Sequence, residues 1–266
     1  MSKLLSEELK QLETDLKQLK REFIIEMITE GVDDPGILKC VFLAGGPGSG
    51  KSFTAKEIFG VGKSDIASVS SGGLKVISSD IAFETQLKKN GIDPKQLDKI
   101  QKEEPQLWNK IAGEESDSIR SKSKGITQQQ QAFYEAGRLG MIIDGTGDEV
   151  LKIQKKKKHA ESLGYDCYMV FVNTSLEVAQ RRNADRSRTL PEKLVTEIWK
   201  ACQNNLGHFQ GMFGGNFVIV DNTEYQPVNK SVQKQVDAFL RKPVYNQIGK
   251  KWMVTAKALK NATLIK

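Results

Sequence analysis

Gly45, Gly50, Lys51 and Ser52 stand in the spacing G-x-x-x-x-G-K-S within the run Val41-Phe-Leu-Ala-Gly-Gly-Pro-Gly-Ser-Gly-Lys-Ser52. Each residue type answers a need of phosphate binding. Glycines let the backbone turn so that successive N–H groups point inward at phosphate oxygens. A helix starting directly behind the loop aims its positive N-terminal end at the same anion. Lys51 can reach the β- and γ-phosphates, and the Ser52 hydroxyl can ligate Mg²⁺. An apolar run precedes the loop and a helix-compatible segment follows it, which is the context the motif requires. The pattern predicts a nucleoside triphosphate site built from Gly45, Gly46, Pro47, Gly48, Ser49, Gly50, Lys51, Ser52 and Phe53, with ATP and Mg²⁺ as its ligands.

Two carboxylates follow apolar strand-like runs. Asp144 closes Met141-Ile-Ile-Asp144 and suits the second acidic position of a P-loop enzyme, holding Mg²⁺ beside Ser52 directly or through water. Asp80 closes Leu74–Ser79 and could take the proton of an attacking hydroxyl as a general base. Either residue could equally cap the helix that follows it. A third constellation is the basic segment Val178–Pro191. Arg182 and Arg186 are four apart and share a helix face, and Arg188 lies at the helix end, before a turn. Guanidinium groups grip phosphate oxygens bidentately, and phosphoryl transfer needs charge neutralised as the γ-phosphoryl moves.

The elements that must position these groups alternate between strand and helix. Strands are expected at 37–44, 74–78, 141–144, 165–172 and 216–221. Helices are expected at 51–58, over most of 81–138, after Gly145-Thr-Gly147 through about 162, at 176–186 and at 191–209. Strands spaced by helices imply a mostly parallel five-stranded sheet covered on both faces, whose ligands sit at the carboxyl ends of the strands. Residues 60–73 read as a Gly- and Ser-rich loop. Ahead of this body, residues 3–30 carry Leu5, Leu9, Leu12, Leu16, Leu19 and Phe23 at alternating steps of four and three, the seam of an amphipathic helix. That seam serves either a coiled coil, making a dimer or gripping a partner protein, or packing on the body, which its short length favours. The division expected is an N-terminal helix at 1–31, a P-loop domain at 37–241 and a basic C-terminal extension at 242–266, whose form (hairpin, edge-covering strand pair or tail) stays open.

Composition bounds the setting. The 266 residues are 38% hydrophobic and 27% charged, as in a globular domain with its own core. No run of about 18 apolar residues suggests a membrane span. The N-terminus turns acidic too early for a secretory signal, so a cytoplasmic setting is expected. Cys40, Cys167 and Cys202 are scattered and odd in number, reading as reduced core thiols. With only His159 and His208, a histidine-rich metal site is not expected. The net charge of +7 suits phosphate-rich ligands, including nucleic acid, without requiring them. Lys152 and Lys155–Lys158 read as a solvated face, because a helix spreads consecutive lysines around its circumference.

Taken together, GGPGSGKS at 45–52, ISSD at 77–80, IDGTGD at 143–148 and RNADRSRTLP at 182–191 resemble the zeta-toxin and polynucleotide-kinase branch of P-loop kinases. Arg182, Asn183, Arg186, Arg188 and Pro191 match its arginine segment. The helix running to Asn204-Asn205 and Phe209, then a strand ending in Asp221-Asn222, is a further similarity. The lead-in Asp33-Asp34-Pro35-Gly36 is similar to phage-encoded members. The resemblance implies a kinase fold, Asp80 as the base activating the acceptor hydroxyl, and a lid carrying Arg182, Arg186 or Arg188. It implies a nucleotide, nucleotide-sugar or polynucleotide as acceptor. Two departures fall near the acceptor: Ser78-Ser79 before Asp80, where an Asn-containing run is common, and Asp148, where a basic or polar residue is common. The competing reading is a catalytically silent nucleotide-binding module that works through protein contacts of its terminal segments. An ATPase motor finds no sensor or arginine finger in the sequence.

Overall fold

A computed structural model describes residues 10–19, 21–22, 25, 31–60, 69–70, 72–113, 115–186, 189–224 and 226–264. Residues 10–19 are helical (α1). The strands are β1 (Lys39–Ala44), β2 (Lys75–Ile77), β3 (Met141–Asp144), β4 (Asp166–Asn173) and β5 (Phe217–Asp221). They form one sheet in the order β2-β3-β1-β4-β5, with every pairing parallel. The crossover helices are α2 (Lys51–Phe59), α3 (Ser79–Lys89), α4 (Leu97–Glu103), α5 (Pro105–Ala112), α6 (Ile119–Ala136), α7 (Val150–Ser162), α8 (Leu176–Ala184) and α9 (Glu192–Phe213). Two more close the chain: α10 (Lys230–Arg241) and α11 (Gln247–Leu264).

Successive side chains of a strand face opposite ways, so a strand between two helix layers must be apolar throughout. In β1, Cys40, Phe42 and Ala44 join a core with Ile153 of α7 and Cys202, Phe209 and Phe213 of α9. Val41 and Leu43 point the other way, to Phe59 of α2 and to Val236 and Phe239 of α10. A third, separate core lies in the crossover between β2 and β3, where Phe83, Leu87, Leu97, Ile100 and Ile111 gather α3 through α5. The crossover is thus a helical layer with its own packing, set beside the strand ends. The three cysteines are buried and free, and burial raises the Cys40 thiol well above its ordinary range.

The two ends of the chain behave differently from expectation. Leu12, Leu16 and Leu19 are 65%, 53% and 63% exposed, so over these residues the seam does not pack on the body as its length suggested. Both broad faces of the sheet are already covered, by α7, α9 and α11 on one side and by α2 and α10 on the other. The remaining seam positions Leu5, Leu9 and Phe23 lie outside the described residues. The segment expected at 242–266 as an extension beyond the domain instead supplies, over its described residues 242–264, the helix α11 and a tie into the first core through Val244, Trp252 and Met253.

The tie is polar as well as apolar. Lys39 at the start of β1 and Asp166 at the start of β4 form a buried ion pair at 2.9 Å. Asp166 also accepts the backbone N–H of Asn246 at 2.9 Å and that of Tyr245 at 3.1 Å. The Asn246 amide reaches back to the Glu161 carbonyl at 3.0 Å. At the other edge, Asp34 of the lead-in accepts the Gly36 N–H at 2.9 Å and pairs with Lys75 of β2. Asp34 therefore joins the entry of β1 to β2, its next neighbour but one in the sheet.

Replacing Asp166 with Ala strands the buried Lys39 charge and frees two N–H groups. We expect a loss of about 3–5 kcal/mol in denaturant unfolding, whereas removing the exposed Lys152–Glu149 pair should shift stability by less than about 1 kcal/mol.

Candidate active site

Register places the site. Leu43 of β1 pairs with Asp144 of β3, and Ala44 pairs with Phe171 of β4, so the P-loop leaves β1 beside the end of each neighbour. The loop is then clamped on both sides. Gly45 donates its N–H to Thr146 at 2.9 Å, and Gly145 donates to Leu43 at 3.0 Å. Gly48 (φ 74°) and Gly50 (φ 87°) lie in the left-handed region, where only glycine sits without strain. A Cβ at Gly48 would overlap the Ala179 carbonyl of α8, and one at Gly50 would overlap the Asn222 amide. The motif glycines are therefore required twice, by dihedral and by close approach.

Lys51 folds back to donate to the Gly45 carbonyl at 2.6 Å, while Ser52 is exposed in the first turn of α2. Pro47 and Ser49 are buried and Phe53 is half-buried. Asn222, just past β5, donates to the Ser49 carbonyl at 2.8 Å, and its own carbonyl accepts from Arg182 at 2.8 Å. Arg182 is thereby held against the loop, with its guanidinium 3.7 Å from where a Gly50 Cβ would stand. Arg186 is exposed two residues beyond α8, and Arg188 lies outside the described residues. Asn183 is buried and makes two bonds with the Leu190 backbone, at 2.8 and 3.1 Å.

The carboxylates occupy distinct environments. Asp144 accepts the Ser78 hydroxyl at 3.0 Å through one oxygen, and its other oxygen is buried with no partner among the described residues. Burial raises its pKa, offset in part by Lys51 and the Ser78 bond, with Asp80 adding to the rise. Lys51, Ser78, Asp80 and Asp144 thus share one electrostatic neighbourhood. Ser78 is the N-cap of α3 yet makes no capping bond with its side chain, since its hydroxyl serves Asp144. Asp80 does not cap either; it lies in the first turn, where a carboxylate meets the positive helix end. It is 65% exposed and paired with Arg120 of α6 at 3.2 Å.

Behind β3, Thr146 bonds to Asp148, and Asn205 of α9 donates to the carbonyls of Gly147 at 3.0 Å and Asp148 at 2.8 Å. The orphaned Asp144 oxygen and the exposed Ser52 hydroxyl are the donor types a hard cation takes, so this pair fits Mg²⁺. The lysine run on α7 does not form a single patch. Lys155 and Lys158 are exposed, Lys156 and Lys157 are half-buried, and Lys157 pairs with Glu161.

Arg120 is the residue sequence reasoning missed. Forty positions separate it from Asp80, and Ile119-Arg-Ser-Lys-Ser-Lys124 reads as an ordinary basic helix start. The role of Ser78 was hidden likewise, because its partner lies 66 positions away.

With this geometry in place, the comparison with protein families is decisive on one point: the model of the AAA domain family matches residues 41–208. The chain belongs to the AAA domain family. The match spans the P-loop, Asp80, Arg120, Asp144, the arginine segment and Asn205, and ends before Asn222. No curated protein sequence matches the chain. Among solved structures it is similar to one from the PezAT chromosomal toxin–antitoxin system of Streptococcus pneumoniae, at 15% identity over 92% of this chain and 94% of that one, TM-score 0.47. It is also similar to a putative kinase from Chloroflexus aurantiacus, at 12% identity over 75% and 96%, TM-score 0.48. A gluconokinase from Sinorhizobium meliloti aligns at 14% identity over 86% and 97%, TM-score 0.38.

In this AAA domain, Asn222 lies outside the family match yet secures both the loop and Arg182. Asn222→Ala leaves the Ser49 carbonyl short of a partner and should weaken ATP binding roughly tenfold in calorimetric titration, with a fold that remains cooperative on heating.

Proposed function

We propose that the protein is a Mg-ATP-dependent phosphotransferase of the zeta-toxin and polynucleotide-kinase type, moving the γ-phosphoryl group to a hydroxyl of a nucleotide, nucleotide-sugar or polynucleotide. One observation carries this reading. Ser78, bonded to Asp144 at the end of β3, is the N-cap of the helix whose first turn carries the solvent-exposed Asp80, so an exposed carboxylate stands beside the triphosphate site. Nucleotide binding alone has no use for such a group. Transfer to a hydroxyl does.

Gly45–Ser52 cradles the phosphates through backbone N–H groups, and Lys51 leaves the Gly45 carbonyl for the β/γ oxygens. Mg²⁺, held by Ser52 and Asp144, would offset negative charge on the β- and γ-phosphates. Arg182, with Arg186 or Arg188 of the lid, would meet charge on the moving group. The acceptor oxygen bonds to the γ-phosphorus as its bond to the bridging oxygen breaks. That electron pair stays on ADP, and the acceptor proton passes to Asp80.

The exposed Leu12, Leu16 and Leu19 favour the second reading, a silent nucleotide-binding module acting through its N-terminal helix. Asp80→Asn separates the two. On the kinase reading it lowers transfer by about 100-fold or more in a γ-labelled ATP assay and keeps ATP affinity within a few-fold. A fully active Asp80→Asn protein would contradict the assignment.

A further inference from the structure

Three features of Arg120 belong together. Its guanidinium makes a single contact with Asp80, NH1 to Oδ1 at 3.2 Å, out of five N–H donors in a planar fork. It lies 4.8 Å over the ring of Phe83, a buried residue of the separate helical core, which fixes its direction without using a donor. It enters from α6, in the crossover layer, whereas Lys51 and Arg182 lie against the P-loop from α2 and from α8. Arg120 therefore reaches Asp80 from a different layer than the residues of the P-loop and α8.

Arg120 occupies a carboxylate oxygen that an acceptor hydroxyl would need to reach, so a permanent Asp80–Arg120 pair would work against proton transfer. The pair is half-exposed and monodentate, the kind that exchanges partners at small cost. A phosphate offers the fork a bidentate partner that a single carboxylate oxygen does not. We propose that Arg120 is the acceptor-binding residue: it leaves Asp80 to take a phosphate already on the acceptor, which orients the adjacent hydroxyl and frees Asp80 as that substrate arrives. This rests on the kinase reading and narrows it to acceptors that carry a phosphate near the reacting hydroxyl. Neutral sugars and nucleosides would not draw Arg120 away.

Binding and transfer are measured on the full chain with Mg²⁺ and a non-hydrolysable ATP analogue or γ-labelled ATP. The probes are matched pairs: thymidine 3′-phosphate against thymidine, and UDP-N-acetylglucosamine against N-acetylglucosamine. The wild type should bind the phosphorylated member of at least one pair tenfold or more tightly. Arg120→Ala should cut that advantage below threefold, Arg120→Lys should retain part of it, and ATP affinity should stay within twofold in both. An undiminished phosphate preference in Arg120→Ala, or no preference in the wild type, overturns the proposal. Arg120-dependent binding without transfer to any probe would uphold the subsite and count against the kinase reading instead. Arg120→Lys keeps the positive charge, so it reports on the subsite should the alanine variant fold poorly.

Discussion

Parallel pairing of β1 with both β3 and β4 is the constraint on which the rest depends. A strand in the middle of such a sheet ends between two neighbours, and here those ends supply the carboxylate Asp144 on one side and the wall of the P-loop on the other. The P-loop has no room to choose another path. Its glycines touch the backbone of β4 and α8 and the Asn222 amide, and its first N–H is taken by the loop after β3. Preorganisation of this sort lets backbone N–H groups meet an anion without first being reorganised.

Much of this was legible in the sequence because the signals are local. The motif of Gly45–Ser52 encodes its own turn, and Phe-Val-Ile-Val before Asp221 or Met-Ile-Ile before Asp144 encodes a buried strand with an acid at its exit. Periodicity over six to twenty residues sufficed for the α/β order and all five strands. What stayed hidden is non-local. Arg120 and Asp80, Ser78 and Asp144, and Asn222 and Ser49 meet across 40, 66 and 173 positions. No window on the sequence couples them. Asn222 and Asn205 were visible as points of family resemblance, but their work, pinning carbonyls of the two loops around the site, is visible only in three dimensions.

The C-terminal segment shows the same division. Its lysines and two aromatics gave no period that chose among hairpin, strand pair and tail. The decisive partner is Asp166, a buried carboxylate whose charge is matched by Lys39 and whose remaining oxygen positions are filled by Tyr245 and Asn246. A charge so deep needs several partners at once, and the chain beyond residue 242 brings them. That end of the molecule is thereby part of the fold that holds β1 and β4 in register, at the opposite end of the strands from the P-loop.

The central claim is that an exposed carboxylate beside a preorganised P-loop passes a phosphoryl group to a hydroxyl. Its most direct test is the fate of the label in γ-labelled ATP, followed with Mg²⁺ against 5′-hydroxyl RNA and DNA, nucleoside monophosphates and UDP-N-acetylglucosamine, with Lys51→Ala as control. The account predicts that label enters one of these acceptor classes and that Lys51→Ala abolishes the transfer. ATP bound by the wild type, with label recovered only as ATP or inorganic phosphate across the panel, would contradict it.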